Sequence, residues 1–283
     1  MKSKRLIVVS LDALSSIDFD MFSKLPNFKK FIRHAACCRQ VRSVYPSLTY
    51  PAHTSIVTGR TPAHHGIVNN ILLQPERSSP DWYWQRNYIR GTTLYDEVLK
   101  QGKHVAALLW PVTAKSEITW NLPEIFANRR WTNQILTSAA NGTVGYQLML
   151  NHRFGRLRDG IRQPALDNFV HASLKYTLKT YRPDLTLVHF TDLDTQRHHY
   201  GVHSEEAAAA IKRHDERIGE LMHLLHQNRM SVKRDTTVII LGDHSQLDVR
   251  NVILINKLLR EQGYLKVQNG RVTEWKAYCQ NCD

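Results

Sequence analysis

Three short apolar runs punctuate this chain, and each is followed by a carboxylate. They are residues 6–11 before Asp12, residues 185–190 before Asp192 and Asp194, and residues 238–241 before Gly242-Asp243-His244. Apolar at nearly every position rather than at alternate ones, they have the pattern of parallel strands buried on both faces. A fourth run, 105–109, ends at Trp110-Pro111. Helical patterns lie between them. Residues 18–35 read as a helical region interrupted near Pro26. Thr92 or Thr93 caps a helix carrying Leu94, Val98 and Leu99, and Gly102 stops it. Residues 165–181 put Phe169, Leu174 and Leu178 on one side, and Pro183 closes the segment. Ser204 caps a long helix from 205 to 228 with Ile211, Ile218, Leu221 and Leu225 as its buried stripe, and a last helix covers 252–262. This alternation predicts an α/β fold, a mostly parallel central sheet with helices on both faces. Residues 113–163 break the alternation. Their aromatics (Trp120, Phe126, Trp131, Tyr146) predict a lid or insertion rather than another sheet unit.

Composition narrows the class. The 283 residues suit a single domain, 1–283, with a sizeable core. A hydrophobic share of 42% and a charged share of 22% exclude a disordered or fibrous chain. No apolar stretch approaches the roughly 20 residues of a membrane span. Lys2, Lys4 and Arg5 imitate the start of a signal peptide, but the apolar run is short and Asp12 interrupts it, so a cytoplasmic protein is expected. The net charge of +13 favours anionic partners. Because Lys and Arg are scattered, a basic surface kept for solubility carries equal weight, and no nucleic-acid-binding motif is present. Cys37-Cys38 and Cys279-x-x-Cys282 do not make a four-ligand zinc pattern and read as free thiols.

In open α/β sheets, ligands bind beyond the carboxyl ends of the strands. Carboxylates delivered there together, with histidines nearby, point to a cation. Asp194-x-x-x-His198 places a carboxylate and an imidazole four residues apart, within reach of one ion if the segment turns. Asp243-His244 offers two ligand types after one strand, and Asp12 adds a third carboxylate. Such a set suits zinc, or manganese at a more oxygen-rich site. Singly, an Asp after a strand is more often a turn or cap residue; their joint placement is what points to metal. In Tyr45-Pro46-Ser47-Leu48-Thr49-Tyr50-Pro51-Ala52-His53, Thr49 can act as an N-cap with Pro51 in the first turn. A hydroxyl at a helix N-terminus beside a divalent cation is also a nucleophile in waiting, with helix N–H groups to hold an anionic phosphorus.

With these residues in place, the chain resembles the alkaline phosphatase superfamily, and most closely its nucleotide pyrophosphatase/phosphodiesterase branch. The matching segments are Val8 to Asp12, the Thr49-Tyr50-Pro51-x-His53 core, Thr61-Pro62-x-x-His65-Gly66-Ile67-x-x-Asn70, Trp110-Pro111, Asp194 to Gly201 and Gly242-Asp243-His244, in the family's order. The resemblance implies an alkaline phosphatase-like fold and two divalent cations, zinc foremost. Thr49 would be the nucleophile and, with Asp12, Asp243 and His244, a ligand of one zinc. Asp194 and His198 would hold the second. Asn70 and the Thr49 N–H would stabilise charge on the phosphoryl oxygens, and Tyr50 would pack on a nucleotide base, where simple packing is its alternative role. The implied activity is hydrolysis of a small phosphate ester or nucleotide through a phosphothreonine intermediate.

One departure stands out. The family completes the second zinc with a late histidine, and no histidine follows His244 here. A chain truncated at its C-terminus is the simplest expectation; otherwise His199 or His203 substitutes. A phosphomonoesterase and a phosphonate hydrolase share the metal site, and a non-catalytic anion-binding protein is the reading from another class. A sulfatase, with Cys or Ser in a C/S-x-P-x-R pattern, and a Ser-based phosphoglycerate mutase fit less well.

Overall fold

A computed structural model describes residues 4–232 and 234–280. Its centre is a five-stranded sheet of β1 (Arg5–Leu11), β2 (Val105–Leu108), β3 (Trp120–Leu122), β4 (Leu185–Phe190) and β5 (Thr236–Leu241), in the order β3-β2-β4-β1-β5. Every pairing is parallel. Leu11 of β1 lies opposite Phe190 of β4, and Ser10 lies opposite Leu241 of β5. That register brings the residues after three strands out along one carboxyl edge.

Side chains alternate across the sheet, and both faces are covered. Ile7, Val9 and Leu11 point into a core built with Phe169 and Leu174 of helix Ala165–Thr180, Ile211, Ile218 and Leu221 of helix Glu205–Gln227, and Leu150 of helix Val144–Phe154. Val8 points the other way, to Val57 of helix Thr49–Thr58 and Tyr95 of helix Leu94–Lys100. Two sheet faces covered by helices explain why the strands read as continuous apolar runs. The caps are local. The Ser204 hydroxyl accepts the Ala207 N–H at 3.2 Å. Thr93 rather than Thr92 caps the helix at 94–100, in a reciprocal box with Asp96. The interruption near Pro26 is real: short helices at Phe19–Phe22 and Pro26–Ile32 flank it. The Asp215 carboxylate, from the long helix, accepts the N–H groups of Asn27 and Phe28 at the second helix's start.

Segment 113–163 differs from expectation. Within it, β3 joins the sheet as an edge strand, pairing Ala106 with Trp120 and Leu108 with Leu122. Three residues are too few to show a period, and Asn121 at the centre hides the strand further. Its burial is tolerated because its amide donates to the Thr113 carbonyl at 2.7 Å. Tyr146 and Leu150 then pack into the main core, so much of this segment is scaffold, while Trp131, Ile135 and Leu136 are exposed. A hairpin of β6 (Leu265–Gln268) and β7 (Arg271–Trp275) stands apart from the sheet. Its turn, Asn269-Gly270, has both residues at positive φ, as a tight hairpin requires.

No helix among the described residues is long and apolar enough to cross a membrane. Cys37 and Cys38 are exposed free thiols and Cys279 is half-buried; Cys282 lies outside the described residues.

Candidate active site

β1 runs between β4 and β5, so Asp12 sits between the groups that follow the other two strands. On the β5 side, Asp243 and His244 turn toward it. His244 Nε2 lies 3.2 Å from Asp12 Oδ1, 3.4 Å from Asp243 Oδ2 and 3.1 Å from the Thr49 hydroxyl. On the β4 side, Asp194 lies on helix Asp192–Tyr200, whose turn brings His198 Nε2 to 3.4 Å from Asp194 Oδ1. One ligand atom each from Asp12, Asp194 and His244 fall within 4.8 Å of one another.

Close backbone contact holds this edge together. Gly242 passes so near the loop after β1 that a Cβ there would lie 1.7 Å from the Leu14 carbonyl oxygen. Asp243 Oδ1 accepts the Ala13 N–H at 3.1 Å, fixing Ala13 in the left-handed region at φ 62°. Arg197, buried on the Asp194 helix, donates to the Ala13 carbonyl and pairs with Asp18. The Ser43 hydroxyl donates to the Asp243 carbonyl at 2.7 Å, tying down the loop that leads to Thr49.

Thr49 is the first residue of its helix, with Leu48 at the cap position. Its hydroxyl therefore faces His244 rather than capping the helix. N–H groups in a first helical turn have no intrahelical partner and suit an anion. The Tyr50 N–H is taken by Asn70 Oδ1 at 2.9 Å. Since the oxygen accepts there, the Asn70 amide turns its NH2 donors the other way. His65 anchors the turn that delivers Asn70, meeting the Ser55 hydroxyl at 2.9 Å and accepting the Ile67 N–H at 3.1 Å. The Tyr50 ring is fully buried, edge-on to Trp82 with centroids 5.3 Å apart. It presents no face to a base; its contribution to the site is its backbone N–H.

Charge shapes the site. Asp12 is buried, which raises a carboxyl, but His189 and His244 outweigh burial and hold it well below the usual range. Burial and the Asp12 charge push Asp243 up to about 7, and the same two causes raise Asp194. Burial pulls the His244 imidazole down, but Asp243 and Asp12 push it up to about 10. Carboxylates so close repel unless a cation lies among them. Asp12 Oδ1 and Asp243 Oδ2 are buried with no hydrogen-bond partner, a state that coordination would relieve. The donor set fits a divalent cation.

One histidine and a glutamate here, His189 and Glu124, were not anticipated from the sequence, and His53 was marked only as part of a motif with no role assigned. His53, fully buried, donates from Nδ1 to the Thr49 carbonyl at 2.8 Å and accepts the Ser10 hydroxyl on Nε2 at 2.9 Å. Burial and the neighbouring His189 push its imidazole well down, in keeping with a neutral ring. His189 of β4 meets Asp12 and Glu124 on its two nitrogens. The Thr-aromatic-Pro-x-His spacing flagged His53, whereas nothing local marks His189, a polar residue inside an apolar run. Neither His199 nor His203 belongs to a potential metal cluster among the described residues. His198 is 64% exposed.

Comparison with known proteins bears on the family and the fold. Human ectonucleotide pyrophosphatase/phosphodiesterase family member 1 is 26% identical over 259 residues, covering 87% of this chain and 24% of the relative. Venom phosphodiesterase of Macrovipera lebetinus is 25% identical over 251 residues, covering 84% and 25%. The chain thus spans about a quarter of the length of these curated relatives. Among solved structures, murine ectonucleotide pyrophosphatase/phosphodiesterase 5 superposes with a TM-score of 0.64 at 19% identity, over 94% of this chain and 63% of that one. Phosphonoacetate hydrolase of Sinorhizobium meliloti superposes with a TM-score of 0.62 at 24% identity, over 94% and 62%. Residues 6–282 match the family description type I phosphodiesterase / nucleotide pyrophosphatase, and with the match covering nearly the whole chain, this protein belongs to that family.

Proposed function

We propose that the chain hydrolyses phosphodiester or pyrophosphate bonds of nucleotide-like substrates, with Thr49 as nucleophile. The observation that carries this reading is the Thr49 hydroxyl at the start of a helix, 3.1 Å from Nε2 of His244, which forms a ligand cluster with Asp12 and Asp194. Asp12, Asp243, His244 and Thr49 on one side, and Asp194 with His198 on the other, would hold two divalent cations, zinc foremost or manganese. Such ions polarise phosphoryl oxygens and ease loss of the hydroxyl proton.

The chain's own groups supply the rest. The Thr49 N–H and the Asn70 NH2 place donors where negative charge builds on the phosphoryl oxygens. His53, donating to the Thr49 carbonyl, fixes the backbone that presents the hydroxyl. Thr49 Oγ1 bonds to phosphorus as the ester or anhydride P–O bond breaks, and the leaving oxygen departs with its electron pair. Water then cleaves the phosphothreonine, returning the Thr49 hydroxyl and releasing the phosphorylated product. The murine structural neighbour supports a nucleotide substrate, being known in complex with AMP as an inactive Thr-to-Ala variant.

The test is hydrolysis of bis(p-nitrophenyl) phosphate, p-nitrophenyl phosphate and phosphonoacetate by wild type and Thr49→Ala. The diester should be preferred, and the variant should lose about 10³-fold or more in kcat with its fold intact by circular dichroism. Undiminished hydrolysis by the variant would remove Thr49 as nucleophile. Preference for phosphonoacetate would move the substrate class toward that of the bacterial neighbour.

A further inference from the structure

His189 is an unusual residue for its position. β4 is buried along its whole length, and its other members are Leu185, Thr186, Leu187, Val188 and Phe190. Burying an imidazole among them is costly unless both nitrogens are satisfied. Here both are. Nε2 lies 3.0 Å from Asp12 Oδ2, and Nδ1 lies 3.2 Å from Glu124 Oε2 and 3.2 Å from the Leu109 carbonyl. Every one of these partners is an oxygen that accepts hydrogen bonds, so the ring is held from both of its nitrogens. Its orientation is fixed by packing. The His53 ring lies 4.3 Å away at 62°, and Trp110 lies 4.8 Å from His53 on a further side.

The consequence falls on Asp12. His189 engages Oδ2, leaving Oδ1 directed to His244, which together with Asp12 and Asp194 makes up the ligand cluster. Glu124, two residues beyond β3, closes the other end of the chain of contacts and is the less buried member, with a side chain 20% exposed. His53, His189 and Asp243 also offer ligand atoms within 4.8 Å of one another. However, the ring nitrogens of that trio are already engaged by Thr49, Ser10, Asp12 and Glu124. It is a hydrogen-bonded support, not a further ion site.

We propose that Glu124, His189 and Asp12 form a carboxylate–imidazole–carboxylate chain in which His189 is a positioning residue, selecting the Asp12 oxygen offered to the cation. This rests on the cation site proposed above. Groups that hydrogen-bond a metal-ligating carboxylate typically govern affinity by 10- to 100-fold.

The test titrates zinc and manganese into the metal-free full chain by calorimetry, and follows the rise in Tm that each metal produces. His189→Gln should weaken cation binding about 10- to 100-fold and lose most of the metal-induced rise in Tm. At saturating metal its kcat should return toward wild type, while the metal concentration giving half activity rises. Glu124→Ala should weaken binding about tenfold, and Glu124→Gln, which keeps an acceptor for Nδ1, should restore most of that loss. Wild-type cation affinity in His189→Gln, even with a lower metal-free Tm, would overturn the proposal and leave His189 a packing residue. Absence of cation binding by the wild-type chain would instead overturn the cation site itself. Because Glu124 is partly exposed, its two variants test the chain of contacts should His189→Gln fail to fold.

Discussion

The two halves of the site are built on different principles. The inner half is almost entirely buried: Asp12, Asp243 and His244 follow strand ends, His189 lies within β4, and His53 lies on the Thr49 helix. Each member is fixed by at least one partner from another strand or loop. The outer half, Asp194 and His198, lies on a single helix and relies on i,i+4 spacing, with His198 64% exposed. Gln246 adds a donor to Asp194 Oδ1 at 2.6 Å. The difference teaches where rigidity comes from. A cation set among strand ends meets ligands whose backbone cannot move independently, whereas the helical pair can loosen by one side-chain rotation.

The comparison is broken most severely by exchanging one proposed ligand from each half. Asp12→Asn should lower kcat/KM on a diester by about 10³-fold, the equivalent of the several kcal/mol a cation contributes. His198→Asn should cost about tenfold, and most of that should return with added zinc. The measurement is kcat/KM against metal concentration for both variants. Equal losses would show that the halves contribute alike despite their different burial.

Next in size is a purely steric break. Gly242→Ala places a methyl 1.7 Å from the Leu14 carbonyl oxygen, which is backbone and cannot step aside. The loop after β1 must move, taking the contact between Ala13 and Asp243 with it. Urea unfolding should show a loss of about 3 kcal/mol. Cation affinity should fall with it, since Asp12 and Asp243 lose their common frame. A variant with wild-type stability would mean that the two loops are not locked together.

What was legible in the sequence follows the same division. Asp12, Asp194 and Asp243 announce themselves because each ends an apolar run, and a parallel sheet sends such ends to one edge. Which of them share a cluster was not legible. Spacing along the chain pairs Asp194 with His198, whereas the strand order puts β1 between β4 and β5 and so brings Asp12 to Asp194 and His244. His189 and Glu124 stayed hidden for a related reason. One sits inside an apolar run, the other follows a three-residue strand without a period, and only pairing across the sheet joins them. Tyr50 reads as a ligand-facing aromatic from the motif alone, while the structure packs its ring beneath Trp82. The hairpin was legible in principle, since Asn269-Gly270 between Val267 and Val272 is a strong turn signal.

The smallest expected effect concerns the scaffold behind the outer half. Asp192 starts the helix that carries Asp194. Its carboxylate accepts from Arg213 at 2.7 Å and from Arg217 at 3.3 Å. Arg217 also donates to His214 Nδ1 at 3.4 Å, and His214 is fully buried. Burial and the Arg217 charge push the His214 imidazole down to about 3, from an ordinary 6.5. Between those values the unfolded chain binds the proton and the native chain does not, so stability rises with pH across the window. The contribution is complete above pH 6.5 and is lost as pH falls toward 3. One such group gives a slope of about 1.4 kcal/mol per pH unit. His214→Asn removes the titration while keeping a polar side chain. In chelator, with urea unfolding measured from pH 4.5 to 6.5, the wild-type slope should exceed that of the variant by this amount. His244 in the inner half is displaced the opposite way, to about 10, because its neighbours are carboxylates rather than arginine. Equal slopes for wild type and variant would mean that His214 is already charged in the native state, and that the scaffold behind Asp194 tolerates the positive charge which its arginines oppose.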